Sequence, residues 1–239
     1  MKIFRTTLLL LSFYFTLNGF SQTADSCLYL QVDLANRWIW RGVNYSESPV
    51  IQPSMGYSNK KLNVLIWASY PFERRAYSEV DFTVEYQFFP KLKLGITDFF
   101  AINDSVGAKH NFFDLERKTT MHMLDAYAIY NPSEKIPVSL LYSLWFWGAD
   151  REPSTLEQNF SSYIEAKYEK SYGKVKTSAF AGMTLGKGFY ASQTAIVNLG
   201  VGISKSIAVS NSFSIPAKVE FILNPETQNV YINAIISMR

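Results

Sequence analysis

The residues of this sequence that could do chemistry are charged and amide side chains placed at every second position of otherwise apolar segments. Successive side chains of a strand point to opposite faces, so residues spaced in this way share one face. The predicted inward-facing set is Asp33, Arg37, Arg41, Gln52, Glu79, Asp81, Glu85, Gln87, Glu165, Lys167, Lys218 and Glu220. Ionisable groups enclosed by a membrane barrel must pair or contact water. We therefore expect them either to line an aqueous passage that selects small polar or charged solutes, or to form salt bridges that fill a lumen too narrow to conduct.

Two arginines of this set belong to the first segment. Arg37 and Arg41 lie four residues apart, so both side chains are expected to point inward from one strand. Acidic partners are available on the fourth segment at Glu79, Asp81 and Glu85. We expect a charged cluster across the lumen; a purely structural ion pair is the alternative.

Patterns for catalysis and for metal or cofactor binding are weak. His110 and His122 are the two histidines, and their spacing fits no zinc motif. No serine lies in a Gly-x-Ser-x-Gly element, so an outer-membrane hydrolase that uses a histidine base is the least favoured hypothesis. Cys27 is the single cysteine, which excludes an internal disulfide. We predict no cofactor and no metal site.

Twelve segments alternate between apolar and polar residues. In the fourth, Val80, Phe82 and Val84 oppose Glu79, Asp81 and Glu85. The predicted limits are 28–41, 50–58, 62–71, 78–89, 91–102, 119–131, 137–148, 160–170, 174–186, 195–206, 212–223 and 229–239. The predicted fold class is all-β: a single antiparallel transmembrane β-barrel of about twelve strands in an up-and-down meander. A soluble β-sandwich is the alternative, but its edge strands would need protection that barrel closure makes unnecessary.

Three segments carry more specific expectations. In the first, Trp38 and Trp40 continue the apolar parity, so the strand is expected to run to Arg41 with both rings at a membrane interface. Trp145 is placed at the same interface. In the fifth, Asp98 shares the apolar parity, so a bulge after Ile96 is expected to turn it inward. In the sixth, Asp125 is expected to face inward because a charge facing lipid costs a few kcal/mol at mid-bilayer.

The connections between segments differ in length in a regular way. The predicted periplasmic turns are 58–61, 89–91, 131–137, 171–174 and 207–211, and they are mostly short and rich in turn-forming residues. The predicted external loops are 42–49, 72–77, 103–118, 149–159, 187–194 and 224–228. Short periplasmic turns and longer external loops are typical of outer-membrane barrels.

The N-terminus has the pattern of a secretory signal peptide. Lys2 and Arg5 precede the apolar run 8–17, and Gly19 and Ser21 are small residues at the spacing of a cleavage site. We predict a signal peptide over 1–21, with cleavage near Ser21 and Gln22, and a barrel domain over 22–239. An uncleaved anchor is the alternative. The net charge of +3 comes with interspersed acids and bases, so no basic stripe suggests a nucleic-acid partner.

The first segment also resembles a known family. Residues 36–42 read Asn-Arg-Trp-Ile-Trp-Arg-Gly and are followed by Ser46, Pro49 and Gln52. This stretch resembles the opening of the TorF-type porins, and the strand at 80–86 resembles their second block. The chain departs from that pattern in having Val50 and Ile51 after Pro49, and in ending without an aromatic residue. The resemblance implies a one-domain outer-membrane β-barrel, a porin of undefined substrate.

The function expected from the sequence is passive movement of small hydrophilic solutes through a narrow charged lumen. The expected location is the outer membrane of a Gram-negative bacterium, and the expected partners are outer-membrane lipid and small polar solutes. The alternative is a non-conducting barrel whose external loops 103–118 and 149–159 bind a ligand or partner.

Overall fold

The computed structural model describes residues 27–73, 76–103, 111–133, 135–210 and 213–238. The predicted signal peptide, its cleavage site and His110 lie outside these ranges. The described strands are β1 (Leu28–Ala35), β2 (Trp38–Trp40), β3 (Val43–Ser46), β4 (Val50–Ser58), β5 (Leu62–Pro71), β6 (Tyr77–Phe89), β7 (Leu92–Asn103), β8 (His122–Tyr130), β9 (Val138–Gly148), β10 (Ser162–Tyr172), β11 (Val175–Thr184), β12 (Ala195–Ala208), β13 (Ser214–Asn224) and β14 (Asn229–Met238).

Twelve of these strands form one closed antiparallel barrel. Each wall strand pairs with its sequence neighbours from β4 through β14, and β1 closes the wall by pairing with both β4 and β14. The remaining strands, β2 and β3, form a separate two-stranded hairpin between β1 and β4. In the described part of the chain, no helix is long and apolar enough to cross a bilayer.

Eleven of the twelve predicted segments agree with the wall strands to within three residues at each end. The first segment is wrong. The alternation predicts a strand from Leu28 to Arg41, but β1 ends at Ala35 and the chain then leaves the wall.

The two faces of the wall differ as the alternation predicts. Large apolar side chains on the outer face are exposed, including Val84, Ile96, Val201, Phe221 and Ile232. Rings near the strand ends, such as Tyr57, Phe72, Phe88, Tyr130 and Tyr172, are exposed as well. The predicted interfacial positions of Trp38, Trp40 and Trp145 are wrong, because all three rings lie inside the barrel, packed against one another and other lumen rings.

The four connections of ten or more residues lie at one end of the barrel, which we call the loop end; both described termini and the five turns of two to seven residues lie at the other, the turn end. The predicted separation of long and short connections is therefore present in the fold.

The two register expectations have opposite outcomes. Asp125 faces inward and is 1% exposed, as predicted. The expected bulge after Ile96 is wrong: Ile96, Thr97 and Asp98 pair in unbroken register with β6 and β8. Asp98 stays on the outer face, where His122 bonds its carboxylate.

Candidate functional site

The candidate site is formed by residues 36–49, which fold into the barrel and which we call the plug hairpin. Within it Trp38 opposes Ser46 and Trp40 opposes Val43. Arg41 and Gly42 form the turn, with φ of 49° and 77°. Positive φ at both central residues matches the tight turn that suits the twist of a hairpin.

Asn36 is the residue at which the chain leaves the wall. Its backbone N–H donates to the carbonyl of Ala234 at 3.1 Å, which continues the ladder between β1 and β14. Its side-chain amide then replaces the next backbone unit: Oδ1 accepts from the N–H of Ala234 at 2.7 Å, and Nδ2 donates to the carbonyl of Ile232 at 3.2 Å. The wall strand β14 is therefore satisfied although the main chain has turned inward.

The tip of the plug hairpin touches the far wall. Asn224 Nδ2, at the end of β13, donates to the carbonyl of Gly42 at 3.1 Å. A Cβ added to Gly42 would lie 1.9 Å from the carbonyl oxygen of Val197 on β12. Glycine is needed here both for the positive φ and for the close approach of two backbones.

Arg41 fixes the hairpin to the opposite side of the barrel. Nη1 donates to Ser143 Oγ at 2.8 Å and to the Tyr190 hydroxyl at 2.7 Å, and Nη2 lies 3.3 Å from Asp125 Oδ2. The guanidinium also lies over the Trp40 ring at 4.2 Å, a cation–π contact.

The protonation states in this network follow from burial and neighbouring charge. Burial raises the pKa of the Tyr190 phenol above its ordinary value, although Arg41 opposes the shift. Burial lowers the pKa of Arg41, but its hydrogen bond to Tyr190 and the charge of Asp125 raise that pKa more, so that it ends above the ordinary value. Arg41 is therefore a cation that donates to a neutral phenol and a carboxylate.

Aromatic rings fill the space around the hairpin. Trp38 stacks on Tyr45 with centroids 4.7 Å apart and contacts Trp67 at 5.5 Å. Trp40 packs against Trp145 at 6.1 Å. Tyr190, on the loop between β11 and β12, packs against the Trp145 ring at 5.4 Å. The plug hairpin and this loop thus give the loop-end half of the lumen a packed core of its own.

The turn-end half of the lumen differs from the loop-end half in its charged side chains. Its charged side chains form pairs that remain in part exposed to solvent: Lys93 with Glu85, Lys167 with Glu169 and Lys218 with Glu220, each at 3.1 Å. The lysines of these pairs are 37% to 42% exposed. The barrel therefore has a packed loop-end half and a water-accessible, charged turn-end half.

The structure places ten of the twelve predicted site residues on the inward face of wall strands: Asp33, Gln52, Glu79, Asp81, Glu85, Gln87, Glu165, Lys167, Lys218 and Glu220. Arg37 and Arg41 are inside the barrel but on the plug hairpin, so their predicted position on a wall strand is wrong. Arg37 lies 5.8 Å from the centroid of the Tyr231 ring.

The predicted cluster of Arg37 and Arg41 with Glu79, Asp81 and Glu85 is also wrong. Arg41 pairs with Asp125, Glu85 pairs with Lys93, and no carboxylate of a described residue lies within 4.0 Å of Arg37. The sequence reasoning missed the roles of Asn36, Ser143, Tyr190 and Asn224. An available signal was the Arg41-Gly42 dipeptide between apolar residues, since a residue followed by glycine in such a setting favours a hairpin turn.

The charges of the lumen do not balance. Asp33, Glu79, Asp81 and Glu165 have no basic group of a described residue within 4.0 Å. The inward-facing basic residues with an acidic partner are Arg41, Lys93, Lys167, Lys176 and Lys218, whereas Arg37 has none among the described residues. Among the described inward-facing residues, acidic groups without an ion pair therefore outnumber basic ones.

Both ring nitrogens of the one histidine in the described ranges make structural contacts. His122 Nδ1 lies 2.8 Å from Asp98 Oδ2, and Nε2 lies 2.7 Å from the carbonyl oxygen of Phe112. Since both ring nitrogens are bonded, neither is free to take a proton from a nucleophile. Over the described ranges, no group of three or more His, Cys, Asp or Glu side chains could hold a metal ion.

The comparisons with known proteins found similarity only to solved structures. No family model matches the chain, and no curated protein matches it. A structure from a study of the in-meso crystallization of membrane proteins matches 88% of this chain and 82% of its own, at 11% identity and a TM-score of 0.49. Pseudomonas aeruginosa OccK1 (OpdK) matches 90% of this chain and 66% of its own, at 9% identity and a TM-score of 0.38.

A third structure, Pseudomonas aeruginosa OccK9 (OpdG), matches 91% of this chain and 64% of its own, at 12% identity and a TM-score of 0.36. The chain thus spans about two thirds of the length of these two Pseudomonas proteins. Values this low do not assign a family or a function to the chain. The similarity to TorF-type porins stays a prediction from the sequence.

Proposed function

We propose that this chain is an outer-membrane barrel of the porin type that passes small hydrophilic solutes, with a preference for cations, through a narrow charged lumen. The observation that carries the proposal is a closed twelve-stranded wall with exposed apolar side chains outside and charged side chains inside. An exposed apolar surface of this extent needs a non-aqueous environment, which a bilayer supplies.

The orientation in the membrane follows from the ends of the barrel. The turn end, with the short connections and both described termini, would face the periplasm, and the loop end would face outward. The predicted signal peptide would deliver the chain to the periplasm of a Gram-negative bacterium for insertion.

The plug hairpin would form the narrowest part of the passage. Arg41, Gly42 and Asn36 anchor it at separate points of the wall. Because its rings pack with the lumen wall, we expect solutes to pass only through narrow gaps or when the hairpin moves. Conductance of the intact chain should therefore be small.

The preference for cations would come from the unpaired carboxylates. Asp33 and Glu165 face the lumen without a basic partner among the described residues. Carboxylates that line a pore make it favour cations.

A non-conducting barrel is the second candidate, and the packed loop-end half of the lumen favours it. Its exposed loop residues, among them Phe113, Leu115 and Phe160, would then contact a ligand or partner.

Planar-bilayer recording separates the two candidates. The full chain and a variant in which residues 37–48 are replaced by a short glycine-serine linker would be refolded and recorded under a KCl gradient. We expect small, cation-selective steps from the full chain and larger ones from the variant. If both insert as folded barrels and neither conducts, the porin proposal fails and the second candidate replaces it.

A further inference from the structure

A cavity of about 260 Å³ lies between the tip of the plug hairpin and wall strands β9 to β13. Its lining includes the apolar residues Trp40, Phe180 and Ile222. It also includes the charged residues Arg41, Glu165, Lys167 and Glu220. A cavity lined by apolar residues and a few polar groups is the usual form of a small-molecule site.

Gly200 makes room for one of the apolar residues that line the cavity. A Cβ added to Gly200 would lie 2.3 Å from the ring of Phe180, so the absence of a side chain there lets the ring lie against the strand. Gly182 does the same for Tyr163, whose hydroxyl would be 2.0 Å from an added Cβ. The wall strands therefore hold two inward-facing rings in place.

The four charged groups that line the cavity are not equivalent. Arg41 is paired with Asp125, Lys167 with Glu169, and Glu220 with Lys218. Glu165 accepts hydrogen bonds at Oε2 from the Tyr163 hydroxyl and from Asn198 Nδ2. These neutral donors fix the carboxylate but do not neutralise its charge, and no basic group of a described residue lies within 4.0 Å of it.

We propose that this cavity binds a small organic cation, with its ammonium group on the carboxylate of Glu165 and its apolar body against Phe180 and Trp40. The ammonium supplies the charge that Glu165 lacks, in a charge-assisted hydrogen bond. The aromatic rings bury the apolar body and favour a nearby positive charge. An anion of the same shape is repelled by Glu165, and a neutral analogue leaves the carboxylate uncompensated. The inference rests on the proposed function in that solutes must reach the lumen.

Binding of three probes of one shape tests the assignment: benzylammonium, benzyl alcohol and benzoate. Each would be titrated by calorimetry into the full refolded chain in detergent. We expect benzylammonium to bind at least about tenfold more tightly than benzyl alcohol, as the loss of a charged hydrogen-bond partner requires, and benzoate not to bind. Equal binding of all three would overturn the assignment, whatever the behaviour of any variant.

The variant Glu165→Gln keeps the shape of the side chain and removes its charge. It should weaken benzylammonium binding about tenfold and leave benzyl alcohol unchanged. Glu157→Gln, an equal charge change on an external loop, is the matched control and should have no effect. Equal weakening in both variants would contradict a local role for Glu165.

These titrations are independent of conduction. Benzylammonium binding that needs Glu165 in a barrel that never conducts would support the inference while the porin proposal fails. Cation-selective conductance without such binding would overturn the inference while the porin proposal stands.

Discussion

Arg41 Nη2 lies 3.3 Å from Asp125 Oδ2, and this pair joins the plug hairpin to wall strand β8. The side chain of Asp125 is 1% exposed and that of Arg41 is 11% exposed. Ser143 Oγ donates to both oxygens of the same carboxylate, at 2.7 and 2.8 Å. Charges buried to this degree are tolerated when each has its partner, and become costly when one partner is removed.

Removal of the Asp125 carboxylate should therefore destabilise the packing of the plug hairpin in the lumen. Asp125→Ala leaves the Arg41 cation buried without its partner, so the free energy of unfolding should fall by about 3 kcal/mol or more. Denaturant unfolding followed by tryptophan fluorescence measures the change. Lys93→Ala is the control: it breaks a pair whose lysine is 37% exposed, and should cost below about 1 kcal/mol. Equal losses in the two variants would contradict the role given to Asp125.

Gly42→Ala should release the tip of the hairpin. The added Cβ would lie 1.9 Å from the carbonyl oxygen of Val197, in a residue with φ of 77°. We expect amide hydrogen exchange over residues 38–46 to become at least about tenfold faster. Gly173→Ala is a matched control, since that glycine has φ of 60° but no atom within 4 Å of the added Cβ. Protection of the hairpin that survives Gly42→Ala would show that the close contact does not hold it.

Local pattern predicted the wall of the barrel well, because each wall strand alternates on its own. The cost of a charge in lipid predicts the inward position of Asp125 without knowledge of its partner. The pairing of Arg41 with Asp125 could not be predicted, because it spans 84 residues and depends on a fold that alternation does not specify. The contact between Gly42 and Asn224 could not be predicted for the same reason.

The first segment shows why alternation can fail. The plug hairpin is itself extended, so Trp38 and Trp40 continue the parity of Leu34 even though the chain has left the wall. Tryptophans near a strand end suit a membrane interface and a packed core equally, and here the core is inside the lumen. Arg41 and Gly42, both with positive φ, form the turn that distinguishes a hairpin packed inside the lumen from a wall strand that ends at a membrane interface.

Asn36→Ala should weaken the closure of the barrel between β1 and β14. It removes the acceptor for the N–H of Ala234 and a donor to Ile232, which should cost about 1–3 kcal/mol. The temperature at which the folded band disappears in a heat-modifiability gel should fall. Asn229→Ala, which removes an exposed contact with Thr227, should leave that temperature unchanged; a fall of the same size in the control would count against Asn36 as the anchor.

The loop before β8 should detach when His122 is lost. His122 holds the carbonyl of Phe112, whose ring packs on Phe100 at 5.2 Å on the outer wall. In His122→Ala, trypsin should cleave after Arg117 and Lys118 faster than in the parent chain, since exposed mobile loops are the preferred sites of cleavage. Lys187→Ala breaks an exposed ion pair with Glu152 on other loops and should leave cleavage at those two sites unchanged. Unaltered cleavage in His122→Ala would remove His122 from this role.

The plug hairpin occupies the lumen, so the labelling rate of a cysteine behind it should depend on the hairpin. Val197→Cys would be made in a Cys27→Ser background, because Val197 is 0% exposed while Cys27 is exposed. A charged thiol reagent that cannot cross the bilayer should label this cysteine slowly in the full chain. Replacement of residues 37–48 by a short glycine-serine linker should raise the rate at least about tenfold. Fast labelling with the hairpin intact would show that the lumen is open at this point and would contradict the plug.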